Sequence, residues 1–148
     1  MTILIPDTVR AVIAEHLRAS YPREGCGALV GRRERAAIAI DEAVPLPNRV
    51  QAEAGRDRFD IDPLAYLQLE QRLLREGGGR SVVGFFHSHP DGPAHPSHID
   101  LEMARGLFDV ARTFYVYAIQ SVYARGAGEL SAWRLNTQLN GFDWVIVP

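Results

Sequence analysis

The residues best equipped for chemistry are concentrated in one stretch, "VVGFFHSHPDGPAHPSHID", Val82 to Asp100, which holds four of the chain's five histidines. His87 and His89 stand two positions apart at the end of an apolar run. Alternate side chains of a strand share a face, so the two imidazoles would project together, roughly 7 Å apart at their backbones. That spacing suits two ligands of one metal ion. Asp100 follows His89 by eleven positions, across a Pro- and Gly-rich loop that can turn back compactly. A carboxylate at the start of the next helix then offers a third ligand. Two histidines, one carboxylate and an open fourth position describe a catalytic rather than a structural zinc site. Water in the open position becomes acidic enough to act as a nucleophile near neutral pH. A plainer reading stands beside this one. "SHID" is also a capping box, with Ser97 as N-cap and Asp100 at the third helical position, so both can serve helix stability alone. A His-x-His pair also recurs by chance.

Hydrolysis needs a proton acceptor as well. Asp91 is close in sequence but sits in the loop. Glu24, in "YPREGCGALVG", follows a helix break and precedes a buried strand. This places a carboxylate at the rim of the sheet, where the histidine strand can also end; the alternative is a solvated Arg23–Glu24 pair. His95 and His98 read as exposed loop and helix-start residues, and His16 as a half-buried structural histidine. Cys26 alternates back to the face of Glu24. It reads as a small buried hydrophobe, or else as a thiol near the metal that makes activity redox-sensitive. Trp133 and Trp144 are expected to pack. Arg56 and Arg58 either meet an acidic partner or keep a loop soluble.

The elements that must position these groups follow from periodicity. "IPDTVRAVIAEHLRASYP" reads as a helix with Asp7 as N-cap and Val9, Val12, Ile13 and Leu17 on one face; Pro22 ends it. "CGALVG" is a short buried strand ending at Gly31, and "RAAIAIDEAVPLPN" a second strand running into a loop. "RVQAEAGRDRF" is polar and irregular. A helix follows, with Asp62 as cap, Pro63 at the first position and the glycines from Gly77 to Gly79 as stop. "SVVGFF" is apolar throughout, as in a strand covered on both faces. "HIDLEMARGLFDVAR" is a helix with Ile99, Met103 and Leu107 on one side. "TFYVYAIQSVY" is a strand, "ARGAGEL" a turn, "SAWRLN" its hairpin partner and "FDWVIVP" a last strand. This order predicts an α/β (α+β) sandwich, a mixed sheet between helices.

Length and composition set the frame. The 148 residues fit one domain, spanning 1–148, able to bury a core without disulfides or a structural metal. A hydrophobic fraction of 47% and a charged fraction of 23% are ordinary for a globular chain. A net charge of −2 without a long basic run gives no footprint for nucleic acid. One cysteine excludes an internal disulfide. The N-terminus lacks signal-peptide character, and no apolar run approaches a membrane span. The expectation is a cytoplasmic, soluble protein.

Glu24, "HSHP" at His87 to Pro90 and "SHID" at Ser97 to Asp100, with ten residues between His89 and Asp100, together resemble the JAMM family of zinc metalloproteases, also called MPN+ or JAB1/MPN domains. The likeness extends to "EGCGALVG", "RFDIDP" and "VVGFFHSHP", and so covers most of the chain. It implies a cytidine-deaminase-like fold; the deaminase signatures H-x-E and P-C-x-x-C are absent. It further implies one zinc ion held by His87, His89 and Asp100. Glu24 would relay a proton from the attacking water to the leaving amine, and Ser97 would donate a hydrogen bond to the tetrahedral oxyanion. The compact length is similar to that of stand-alone prokaryotic members. These cut peptide or isopeptide bonds after the C-terminal Gly-Gly of ubiquitin-like or sulfur-carrier proteins. Such tails bind extended, and the loop Asn48 to Phe59 is the expected groove wall. A homodimer is compatible with this reading. Two alternatives are a phage-tail or cell-wall type of peptidase and a non-hydrolytic metal-binding interaction module; the second needs neither Glu24 nor Ser97.

Overall fold

A computed structural model describes residues 1–50 and 57–148. The elements in chain order are β1 (Thr2–Leu4), α1 (Asp7–Ser20), β2 (Cys26–Arg33), β3 (Ala37–Leu46), α2 (Pro63–Glu76), β4 (Ser81–Pro90), α3 (His98–Ala111), β5 (Val116–Tyr123), β6 (Gly126–Leu135) and β7 (Phe142–Val145). The strands form one mixed sheet in the order β1-β3-β2-β4-β5-β6-β7, with β1–β3 and β4–β5 parallel and the other pairs antiparallel. Helices cover both faces, so the α+β sandwich expected from the element order is the architecture found. The sheet also curls until its outer strands touch: Ile3 N–H donates to the Ile146 carbonyl at 2.9 Å, and Ile146 N–H to that of Met1 at 3.3 Å.

α1 packs on one face of the sheet. Val9, Ile13 and Leu17 join Leu29, Val83 and Phe86 in the larger core. α2 lies on the opposite face, where Leu69 and Leu73 pack on Ala28, Val30 and Phe85, with Leu107 of α3 against the same cluster. β4 sends Phe86 to one core and Phe85 to the other, which is why its sequence is apolar at consecutive positions.

Several local expectations are corrected. β1 was not anticipated; three residues are too few for a periodic signal. Pro6, not Asp7, is the N-cap of α1, and no side chain caps it; Asp7 is in the first turn. Val12 is 42% exposed, so the apolar face of α1 is narrower than expected. β2 runs two residues past Gly31. "ARGAGEL" is mostly strand: β6 begins at Gly126, whose φ of 137° suits glycine, directly after a two-residue turn at 124–125. Trp133 is half-buried, but Trp144, expected to pack, is 64% exposed. No helix among the described residues is long and apolar enough to cross a membrane.

Candidate metal centre

β4 carries His87 and His89 on the same face as Phe85, toward α2 and α3. α3 starts above them with Ser97 as N-cap. Ser97 Oγ accepts from Asp100 N–H at 3.1 Å, and Asp100 Oδ2 accepts from Ser97 N–H at 2.8 Å, a complete capping box. The same Asp100 carboxylate faces both histidines. Its Oδ1 lies 3.1 Å from His87 Nε2 and its Oδ2 lies 3.0 Å from His89 Nε2, while the two Nε2 atoms are 3.3 Å apart. Cap and cluster are therefore parts of one arrangement. His87 and Asp100 are 2% and 8% exposed, so water does little to screen them.

Glu24 reaches this cluster from the segment before β2. One ligand atom each from Glu24, His87 and His89 lie within 4.8 Å of one another. A reciprocal pair of hydrogen bonds ties that segment to β4: Gly25 N–H donates to Ser88 Oγ at 2.9 Å, and Ser88 N–H donates to the Gly25 carbonyl at 3.1 Å. Gly25 allows close packing on α1, since a Cβ there would stand 2.6 Å from Ser20 Oγ and 2.8 Å from Leu17 Cδ2 and both side chains would have to shift. Asn48 holds the far side, donating from Nδ2 to the Glu24 carbonyl at 3.0 Å.

Burial and mutual contact shift the charges of these groups. Burial raises the Glu24 carboxyl from an ordinary 4.5 to about 8, with neighbouring His89 opposing and Asp100 reinforcing the shift. Its Oε1 is buried without a hydrogen-bond partner among the described residues. Burial would also raise Asp100, but His87, His89 and the Ser97 N–H outweigh it and hold this carboxyl well below the usual range. Burial pushes His89 down, and its bonds to Asp100 and Pro93 more than reverse that. His89 Nδ1 lies 2.9 Å from the Pro93 carbonyl and donates to it, so Nε2 is the nitrogen that faces Asp100 and the one a metal could use. In the metal-free fold a proton on Nε2 makes the hydrogen bond to Asp100 Oδ2, and a bound metal would take that proton's place.

The donor set fits zinc. A tetrahedral ion with bonds of about 2.0–2.1 Å spaces its ligands about 3.3 Å apart. The separations of 3.0 to 3.3 Å among His87, His89 and Asp100 match that edge. Glu24, with its unpartnered oxygen, stands beside the three.

Other sequence candidates fall elsewhere. Asp91 accepts from Tyr21 Oη at 2.9 Å. His98 pairs with Glu102 on the surface, and His95 packs on Trp133 with ring centroids 5.5 Å apart. His16 donates to the Cys26 carbonyl. Cys26 Sγ lies 3.6 Å from the Leu46 carbonyl and 3.8 Å from that of Pro47, outside the cluster, and burial pushes the thiol up to about 12, so it packs as a small hydrophobe. Arg58 pairs with exposed Asp57. Arg56 and residues 51–55 of the expected groove wall lie outside the described residues. Phe59, the end of that wall, stacks on His87 with centroids 4.7 Å apart. Ser88 and the Pro93 carbonyl escaped the sequence reading, and Asn48 and Phe59 entered it only as the ends of the groove wall, because their contacts to Glu24 and His87 are tertiary and no local spacing encodes them. Beside the ligands opens an apolar cavity of about 260 Å³, whose lining includes Phe59, Tyr66, Phe85, Met103 and Leu107.

Residues 6–136 match the family described as prokaryotic homologs of the JAB domain. The chain is 35% identical over 105 residues, 71% of its length, to a "Probable TtuB-protein conjugate cleaving protease" of Thermus thermophilus, and covers 65% of that protein. It is 33% identical over 98 residues, 66% of its length, to a "Desampylase" of Haloferax volcanii, and covers 66% of it. The chain thus spans a little under two thirds of either relative. Among solved structures, a protein from Desulfitobacterium hafniense superposes with a TM-score of 0.79 at 25% identity, over 100% of this chain and 92% of that one.

Proposed function

The chain belongs to the prokaryotic homologs of the JAB domain, and from that premise we propose that it is a zinc-dependent hydrolase of ubiquitin-like protein conjugates, cutting the peptide or isopeptide bond after a C-terminal Gly-Gly. The observation that carries this is the convergence of His87, His89 and Asp100 within 3.0 to 3.3 Å of one another, with the unpartnered Glu24 carboxylate beside them. Two relatives whose names state conjugate cleavage and desampylation support the substrate class.

His87, His89 and Asp100 would hold the metal. When bound, zinc supplies Lewis acidity that activates water and polarises a carbonyl. The rest is done by the chain. Burial makes Glu24 a proton acceptor far stronger than an ordinary carboxylate. It takes the proton of the attacking water as the C–O bond forms, and gives it to the amine as the C–N bond breaks. Ser97 Oγ already accepts from Asp100 N–H, so its own proton is free to donate to the developing oxyanion. The Pro93 carbonyl keeps the His89 ring in one tautomer. The apolar cavity bounded by Phe59 and α3 is the groove in which the carrier tail lies extended.

The test is intact-mass analysis of ubiquitin-like carriers bearing C-terminal extensions, incubated with the protein, with and without chelator, beside Glu24→Gln. A chelator-sensitive loss of mass ending at Gly-Gly, absent with Glu24→Gln although zinc is retained, is expected. Full activity in Glu24→Gln would overturn the assignment.

A further inference from the structure

A second recess, of about 280 Å³, lies beyond the loop that precedes α3, and nothing in the proposed reaction uses it. Its lining is Ala94, His95, Glu129, Ser131, Trp133 and Trp144. Three of these come from one face of β6, since 129, 131 and 133 alternate along the strand. Trp144 is the direct cross-strand partner of Trp133 on β7. The two indoles therefore stand side by side, and they are the only tryptophans in the chain. His95 covers Trp133 from the loop.

The buried polar groups of the recess are used. Trp133 Nε1 donates to Ser131 Oγ at 2.7 Å, and Ser131 Oγ donates to the Ala94 carbonyl. Glu129, by contrast, is exposed and makes no ion pair or hydrogen bond among the described residues. An unpaired carboxylate beside two indole faces, one of them 64% exposed, suits an organic cation. Ammonium and guanidinium groups are attracted by the ring quadrupole, Trp best of all, and by the carboxylate as a counter-charge.

The recess is also placed to read substrate. His87, Ile119 and Ser131 are successive Cα partners across β4, β5 and β6. Two strand spacings put Ser131 about 10 Å from His87, the reach of about three extended residues. Ala94 and His95 belong to the loop whose Pro93 carbonyl holds His89. The apolar groove, by contrast, is lined by Asp100, Met103 and Leu107, the side of α3 turned to α2.

We propose that the recess of Glu129, Trp133 and Trp144 is a subsite for a lysine or arginine side chain of the substrate polypeptide, on the leaving side of the scissile bond. The side assignment rests on the hydrolase reading above; the cation site itself does not.

Two measurements test it. Carriers ending in Gly-Gly are extended by four residues, alanine throughout except for one Lys, Arg or Glu scanned through the positions, and kcat/KM is measured. At the best position the wild-type protein should favour Lys or Arg over Glu roughly five- to twentyfold. Glu129→Lys should invert that ratio. Independently, the blocked peptide Ala-Ala-Lys-Ala is titrated against tryptophan fluorescence, which reports on this recess alone. A saturable change is expected, lost in Glu129→Lys and absent with Ala-Ala-Glu-Ala. Cleavage without basic preference, together with unchanged fluorescence, overturns the subsite and leaves the hydrolase standing. Binding without cleavage of any carrier sinks the hydrolase reading and leaves the cation site standing.

Discussion

The two recesses on this face of the sheet are built on opposite plans. The first is walled on several sides: Phe59 from the loop, Tyr66 from α2, Met103 and Leu107 from α3, and Phe85 and Tyr117 from the sheet. Its aromatic side chains also pack on one another, Phe85 against both Tyr66 and Tyr117. The second has a single layer under it and presents a tryptophan and a carboxylate to solvent. Apolar residues in the first are held by the fold and contribute to it. In the second, Trp144 is 64% exposed and so has little of its surface held by the fold. The difference separates a groove formed by the core from a surface assembled for recognition, and each prediction below bears on one side of it.

The largest effect belongs to the ligands at the edge of the first recess. Asp100→Ala removes the carboxylate that faces His87 and His89 and also the partner of the Ser97 N–H. Hydrolysis should fall by three orders of magnitude or more with loss of bound zinc, and the lost cap should cost about 1 kcal/mol of stability. Asp100→Asn separates the two roles, since an amide oxygen can still accept from Ser97. Its thermal stability should return toward wild type while activity and zinc affinity do not. If Asn restores both, the carboxylate is a cap and nothing more.

Next is the buried base. With a folded-state pKa near 8 against 4.5 unfolded, Glu24 retains a proton in the metal-free fold that the unfolded chain has released. The folded state binds more protons between those values, so its stability falls as pH rises through the window, and the total effect is a few kcal/mol in order of magnitude. Glu24→Gln has no such proton. In metal-free protein, the melting temperature of Glu24→Gln relative to wild type should therefore climb steadily from pH 4.5 to 8. Parallel melting curves across that range would show that Glu24 is solvated, as an exposed Arg23–Glu24 pair would be.

What the sequence disclosed follows the same division. His87 and His89 were legible because two-residue spacing on a strand fixes a shared face, and Ser97 and Asp100 because a capping box is a four-residue pattern. The meeting of Glu24 with them was not derivable from spacing; it depends on the β2–β4 register, Cys26 opposite His87, and on the Gly25–Ser88 bonds. The residues placed Glu24 only at the rim where the histidine strand can end, and resemblance to a family assigned it to the same site. The sandwich was legible from alternating periodicities, whereas the contact between its outer strands rests on Ile3 and Ile146, at opposite ends of the chain. Trp144 was misread because bulk and apolarity say nothing of whether a layer exists above a residue.

The groove can be broken selectively. Met103→Glu places a further carboxylate in a mostly apolar groove, where it must be desolvated when a tail binds. Cleavage should weaken about ten- to hundredfold, chiefly through KM, with zinc content unchanged. An equal loss in kcat instead would mean that the substitution disturbs the ligands rather than the groove.

The smallest expected effect is the sharpest test of the comparison. Trp144 lies 64% exposed on β7, and its partner Trp133 is half-buried with its indole N–H bonded to Ser131. If the second recess is a recognition surface, Trp144→Ala should change unfolding free energy by no more than about 0.5 kcal/mol, as for other surface positions. Tyr117→Ala, cut from beneath the closed groove, should cost about 3 kcal/mol or more. Equilibrium denaturation of both variants decides it. A Trp144→Ala cost comparable to that of Tyr117→Ala would return Trp144 to the packing role first expected of it, and the exposed indole would then need no ligand to account for its position.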